Sequence, residues 1–380
     1  MFYFRKFANK LKRRIFSPPT RIEKSFWDLI FSILFLKFKK TKNQRKKKCL
    51  LIWDIRTNSI TFDVVHLLFE SNLRFSKKGI NSFDVLIYFP KDFVPQLPSI
   101  ENYSEYINTF DLFNRYKNLV IPIFESSNSV RKIFYSDNPK DTKDITSKYK
   151  NVIPKVFVPN LYSPIPQDMK YLYKNLLKMQ NKRLLIPSFS KISLKGKKFS
   201  KKNKYLENRY LTFTVRDYGF NKYRNTNNND IEKFIEFASL IKAKPIIVPD
   251  KISLIKKYEY LKDKCFIYKE AREDIHKRIS LYKNSIVNIF SVSGPGQLSL
   301  LCGSSKSIFF NYGIGGIDGG LEYYEKDGLY KYNQPFLPMG GYIIWYEKNY
   351  SYTSKDLFYA YKEINNFNNQ ANKLKNFRSF

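Results

Sequence analysis

From Cys49 onward the chain alternates short apolar runs with longer stretches of helical periodicity. CLLIWDI (49–55), DVLIYFP (84–90) and NLVIPIF (118–124) have strand length and almost no polar interruption, the pattern of strands covered on both faces of a parallel sheet. Between the first two, residues 58–74 put Phe62, Val65, Leu68 and Phe69 on one helical side. A helix near 101–116, a strand around 152–158, a helix over 166–179 and a strand RLLIP (183–187) complete a first unit. KISLKGKKFSKKNK (191–204) is lysine-rich, lacks apolar periodicity and reads as a linker. Beyond it YLTFTVR (210–216), PIIVPD (245–250), SIVNIF (285–290), SIFFN (307–311) and YIIWY (342–346) read as strands. Helices over 230–242, 270–283 and 295–303 separate them, and one near 354–368 closes the chain. Alternation of this kind predicts parallel sheets, so the expected class is α/β, with two Rossmann-like domains facing across a cleft.

Residues 1–48 stand apart. They hold 16 Lys/Arg against 2 Asp/Glu, a surplus of 14 out of the chain's net +35, and enclose one apolar block, FWDLIFSILFLKF (26–38). Its 13 residues make a helix of about 20 Å, short of a hydrocarbon core of about 30 Å. No small-residue cleavage site follows, which disfavours a signal peptide. The segment suits a helix in the interface of an anionic membrane; docking on the chain's own domain is the alternative. The expected division is a membrane-surface segment over 1–48, domains over 49–190 and 205–350 joined by the linker 191–204, and a C-terminal helix over 351–380.

Composition narrows the chemistry. Two histidines, His66 and His276, exclude a mechanism built on a histidine cluster. Cys49, Cys265 and Cys302 show no metal-ligand spacing and suit a reducing compartment. The remaining +21 draws the chain towards polyanions, although Lys, Asn, Ile, Phe and Tyr all have AT-rich codons and part of the charge follows from that.

Two stretches carry the candidate chemistry. RYLTFTVRDYGFNKYRN (209–225) runs from a strand into a loop presenting Arg216, Asp217, Arg224 and Asn225. NIFSVSGPGQLSLLCG (288–303) runs from a strand through Ser293, Gly294, Pro295, Gly296 and Gln297 into a helix. Ligands of open α/β sheets bind at the carboxyl ends of strands. Paired guanidiniums and a glycine-rich helix start suit a diphosphate, hence a nucleotide-linked ligand, most plausibly a sugar nucleotide. An internal ion pair for Arg216, a solvated Arg224 and a plain turn at Ser293 are the structural alternatives. In the first domain Asp54, Arg56, Asn58 and Thr61 crowd a strand end, where they contact an acceptor or merely cap the next helix. Asp54 and Asp63 are the candidate general bases, and nothing in the sequence chooses between them. The glycine cluster GIGGIDGG (313–320), with Asp318, reads as a ligand loop or a surface turn, and PFLPMGG (335–341) is expected at the cleft rim. The chain has no D-x-D triplet, which argues for no bound metal and no cofactor, with arginines and a helix dipole carrying the leaving-group charge.

These stretches resemble a group of bacterial glycosyltransferase-like proteins of surface-polysaccharide loci, of the two-domain GT-B type. The resemblance rests on Asp54, Arg56, Asn58, Thr61, Phe62 and Asp63; on Thr214, Arg216, Arg224 and Asn225; on Arg278, Leu281 and Tyr282; and on Asn288, Gly294 and Pro295. More distantly, the arginine loop looks like that of fucosyltransferase-type enzymes, but the His-x-Arg-Arg form is missing and a GDP-fucose donor is not supported. The resemblance implies sugar transfer from a nucleotide-sugar donor to a glycan acceptor; the missing D-x-D triplet adds metal independence, and the basic, apolar N-terminus, which is not part of the family pattern, adds a lipid-linked acceptor at the inner face of the cytoplasmic membrane. Two rivals stay open: a sugar-nucleotide 2-epimerase on the same fold, and a non-enzymatic polyanion-binding protein, although no specific nucleic-acid motif is present.

Overall fold

The computed structural model describes residues 48–378, apart from 56–57, 59–60, 90–115, 155–156, 158–168, 187–189, 203–208, 219–221, 252, 304, 315–319, 327, 330–332 and 348–350. The membrane-surface segment, Arg56, Asp318 and most of the helix expected near 101–116 therefore lie outside the described residues. The chain divides into two compact units. One takes the residues up to Ile60, Leu67–Lys117 and Ser129–Gln167; the other takes Thr61–His66, Asn118–Asn128 and Asp168–Phe380.

The first unit carries a four-stranded parallel sheet of β1 (Cys49–Asp54), β2 (Phe83–Tyr88), β3 (Val130–Ser136) and β4 (Asn151–Ile153), in the order β3-β2-β1-β4. Helix α1 (Asp63–Ser76) follows β1. The stretch NLVIPIF, read as a strand, is instead a π-helical turn (Tyr116–Val120) running into helix α2 (Ile121–Ser126). The third strand is the more polar VRKIFYS, five of whose seven residues are exposed or half-exposed. Apolar continuity misled because Pro122 at the first turn of α2 suits a helix start better than a central strand, where its missing N–H would break the ladder. Helices α3 (Pro139–Ser147) and α4 (Met169–Asn181) come next in the chain. RLLIP forms no strand at 184–186 either; Arg183 ends α4 with a left-handed φ of 51°.

Beneath the first sheet Leu50, Ile52, Leu86, Tyr88, Tyr149 and Phe157 form an apolar cluster. Asp84 is buried at its edge. Arg131 binds it through two hydrogen bonds of 2.8 and 2.7 Å, and the Tyr149 hydroxyl donates to it at 2.5 Å. Burial alone would raise the Asp84 pKa, but these donors hold the carboxyl below its ordinary range.

The second unit begins with a surprise for the sequence reading. The expected linker contains helix α5 (Leu194–Lys202), anchored by buried Gly196 and Phe199. Its two apolar-face positions are too few to register as periodicity. Strands β5 (Tyr210–Val215), β6 (Lys244–Pro249), β7 (Phe266–Ile267), β8 (Asn288–Ser291), β9 (Ser307–Tyr312) and β10 (Gly341–Trp345) form a six-stranded parallel sheet in the order β10-β9-β8-β5-β6-β7. This is the doubly wound order, with its reversal between β5 and β8. The connecting helices are α6 (Asn228–Leu240), α7 (Ser253–Lys257), α8 (Glu270–Glu273), α9 (Ile275–Asn284), α10 (Gly294–Leu301) and α11 (Leu321–Lys326); α12 (Ser354–Arg378) ends the chain. Leu357, Ala360, Ile364, Phe367 and Ala371 of α12 join the same core as β5, so the last helix belongs to this unit.

Strand β5 shows how the core is made. Leu211, Phe213 and Val215 enter the apolar cluster with Phe234, Phe237, Ile289 and Phe310. On the opposite face Tyr210, Thr212 and Thr214 are equally buried, and each hydroxyl has a partner: Leu281 O at 2.8 Å, Asn288 Oδ1 at 2.6 Å and Tyr282 Oη at 2.7 Å. A period of two thus separates an oily face from a hydrogen-bonded one. PFLPMGG, expected at a rim, supplies buried Phe336, Leu337 and Met339 instead. No helix of the described residues is long and apolar enough to cross a membrane.

Replacing Asp84 by Asn should lower stability by about 2–3 kcal/mol in urea titrations, because it removes one partner of a buried pair whose arginine keeps some solvent. Because the folded pKa of Asp84 is depressed, its contribution is complete above about pH 4 and disappears as pH falls below that. The Asn variant should therefore show the shallower acid transition.

Candidate functional site

The end of β5 is locked before any ligand is considered. The Arg216 N–H donates to Thr226 Oγ1 at 3.0 Å and the Thr226 N–H returns to Arg216 O at 2.8 Å, closing the neck of the 216–226 loop. Asn227 and Asp230 then cap α6 reciprocally, each side chain accepting the other's backbone N–H at 2.9 Å. Inside the loop Asn225 is the brace. Its Oδ1 accepts from Arg216 Nη1 at 2.5 Å and from the Tyr218 N–H at 3.0 Å, while Nδ2 donates to Tyr218 O at 2.8 Å. Asp217 takes Lys257 Nζ at 3.0 Å. Asn225 and Asp217, expected as ligand contacts, are thus engaged in shaping the loop.

Arg216 is 5% exposed, with its guanidinium 4.9 Å from the centre of the Tyr218 ring. Burial, and next the charge of Arg224, push its pKa below the ordinary arginine value. Arg224 is thus close enough for its charge to act on the Arg216 guanidinium. Arg224 sits on a short 3₁₀ turn (Lys222–Arg224), 5.3 Å over the Tyr223 ring. Its charge also reaches Tyr312, at the end of β9, and Tyr324 of α11. Burial holds both phenols above their ordinary value, Tyr312 at about 12, and Arg224 works against that rise.

Tyr312 connects this group to the other predicted stretch. Gln297 Nε2 lies 3.4 Å from the Tyr312 hydroxyl, and Gln297 Oε1 lies 2.7 Å from His66 Nε2. Hydrogen bonds thus run from Tyr312 through Gln297 to His66, and the charge of Arg224 reaches both Tyr312 and Arg216. The strands that reverse the sheet order, β5 and β8, end at Arg216 and at Ser291, where ligands of doubly wound sheets bind. Ser291 Oγ and Ser293 Oγ are buried there with no hydrogen-bond partner among the described residues.

The glycines at Ser293-Gly294-Pro295-Gly296 lie against aromatic rings. A Cβ on Gly294 would lie 2.6 Å from the Phe62 ring, and one on Gly296 would lie 2.5 Å from the Phe309 ring. They admit the aromatic side chains of Phe62 and Phe309. Pro295 lacks an N–H and Gly296 N–H is turned to Ser293 O at 3.2 Å, which thins the amides that the first turn of α10 lends a ligand. In the stretch after β1, Asn58 Nδ2 bonds back to Asp54 O at 2.9 Å and Asp54 is buried. Thr61 Oγ1 takes the Asp63 N–H at 3.2 Å and donates to Asp63 Oδ2 at 2.7 Å, so Thr61 serves the start of α1; Ser59 lies outside the described residues. Neither His66 nor Tyr312 is among the candidate site residues of the sequence reading, although the placement of Tyr312 at a strand end matches that of Arg216.

No protein-family model matches the chain, and no curated protein matches it. Among solved structures it resembles a family 9 glycosyl transferase from Veillonella parvula (10% identity, TM-score 0.45, covering 86% of this chain and 99% of that one). It also resembles the E. coli heptosyltransferase WaaC with ADP (10%, TM-score 0.41, 84% and 98%) and POFUT1 in its apo form (11%, TM-score 0.34, 71% and 99%). At identities near a tenth and TM-scores this low, the likeness carries no conclusion about activity.

Gly294→Ala and Gly296→Ala should each cost about 1–3 kcal/mol through overpacking against Phe62 and Phe309, read as lower melting temperatures with the fold retained. Burial holds the His66 pKa below its ordinary value, with Asp63 and Gln297 opposing. Folding thus favours the neutral ring, and that stabilisation is complete above about pH 6.5 and lost as pH falls below it. His66→Gln should flatten the loss of stability between about pH 7 and 5.5, measured by denaturant titration.

Proposed function

We propose that the chain is a glycosyltransferase that takes its sugar from a nucleotide donor, and that Arg216 and Arg224 hold the donor diphosphate. The observation that carries this reading is the buried guanidinium of Arg216 beside that of Arg224, at the strand end where the sheet order reverses. Two like charges kept together in partial burial are stabilised by a bound dianion, and paired guanidiniums match phosphate oxygens. The unpartnered hydroxyls of Ser291 and Ser293 add donors at the same end of the sheet, with Gly294 and the positive end of α10. During transfer, charge builds on the departing diphosphate, and groups fixed in advance stabilise it without reorganisation.

Metal independence, a surface-polysaccharide role and a lipid-linked glycan acceptor at the inner membrane face remain part of this proposal, on the sequence grounds given above. Asp63 is the stronger candidate base: its charge acts on His66, which is joined to Gln297 at the donor end of the sheet. Heptosyl- and fucosyltransferases of the kind named above perform the same class of reaction, but the reading stands on the arginine pair.

Calorimetric titration with a panel of nucleotide sugars tests it. One donor should bind the wild type, and Arg216→Ala should weaken binding at least tenfold, about 1.4 kcal/mol, with an unchanged far-ultraviolet spectrum. Arg216→Lys should recover only part, because an ammonium lacks the planar fork. Equal affinity of wild type and Arg216→Ala would overturn the assignment.

A further inference from the structure

Helix α5 carries charge that the proposed reaction does not use. Its inner face is settled by close packing on α9. Ser280 Oγ donates to Gly196 O at 3.0 Å and lies 2.5 Å from Ser200 Oγ, while a Cβ on Gly196 would lie 2.9 Å from His276 O. Phe199 is buried edge-on to Tyr268 at 5.1 Å between centroids. Gly196, Phe199 and Ser200 thus fix which way the helix faces.

On helical spacing the opposite face consists of Leu194, Lys197, Lys198, Lys201 and Lys202, and all five are exposed, Leu194 to 77%. No acidic residue lies within 191–202. The nearby carboxylate of Asp274 is engaged by Lys195 at 2.6 Å, on the flank of the helix. Leu194 stands in water at the N-terminal end of a row of four lysines.

We propose that this face of α5 is a docking surface for an anionic lipid bilayer. Lysine ammoniums are attracted to headgroup phosphates without a fixed geometry, each worth about a fivefold gain in partition. Leu194 enters the headgroup boundary beside them, as apolar positions of interfacial helices do. A nucleic-acid surface would call for arginine forks or exposed aromatic rings, and this face has neither. The surface uses none of the donor-site residues, and its test does not rely on the enzymatic reading.

The test is co-sedimentation of the full chain with phosphatidylcholine vesicles, with and without phosphatidylglycerol. Wild type should bind the anionic vesicles and largely release in high salt. Replacing Lys197, Lys198, Lys201 and Lys202 together by Gln should weaken binding at least tenfold. A control with the same loss of charge, Lys140, Lys143, Lys148 and Lys150 to Gln on the first unit, should weaken it less than threefold. Leu194→Ser, which changes no charge, should weaken binding severalfold and leave the melting temperature unchanged. Equal losses in both quadruple variants would mean that net charge alone is sensed and would overturn the proposal. Unchanged vesicle binding in the α5 variant, or selective loss of oligonucleotide binding instead, would overturn it too.

Discussion

The site depends on one electrostatic constraint: Arg216 and Arg224 are close enough for the second to depress the pKa of the first, in a place where burial already disfavours charge. Such an arrangement raises the energy of the empty protein and lowers it again when an anion enters. It persists because the surroundings over-determine it. Thr226 clamps the backbone of Arg216, Asn225 fixes its guanidinium, and the capped start of α6 fixes Thr226 and Asn227 in turn. Tyr218 lies beneath the guanidinium, with Lys251 Nζ 4.5 Å from the same ring.

The sheet decides where that constraint is placed. A strand order that reverses between β5 and β8 opens the carboxyl ends of two strands whose connections leave in opposite directions. Arg216 follows one and the Ser291–Ser293 hydroxyls follow the other. Tyr312, ending the next strand, joins them through Gln297. Glycine serves this assembly by letting Phe62 and Phe309 approach α10, so the helix start is positioned by aromatic packing.

Much of this was legible in the residues. Eight strands of the ten were read close to their positions, because burial on both faces leaves unbroken apolar runs. The failures have physical causes. NLVIPIF is as apolar as a strand, yet Pro122 at its centre opens a helix, and the strand that follows, VRKIFYS, is mostly exposed or half-exposed and so lacks the signal. Helix α5 looked like a linker because two small contacts, Gly196 and Phe199, hold it while lysines cover the remainder. β7 has two residues and leaves no pattern. At the candidate site, residue type and the loop after β5 drew attention to both arginines. The internal duties of Asn225, Asp217, Gly294 and Gly296 were not readable, because a polar side chain that braces a loop and one that meets a ligand have the same sequence signature.

The central claim is that an anion relieves the repulsion between two neighbouring guanidiniums. Its most direct test is the melting temperature of the wild type against increasing inorganic pyrophosphate, with chloride at matched ionic strength as reference. A specific site predicts a rise with the logarithm of pyrophosphate concentration once binding saturates, absent with chloride and absent in Arg224→Ala. No rise, or one equal for both salts and both proteins, would contradict the account.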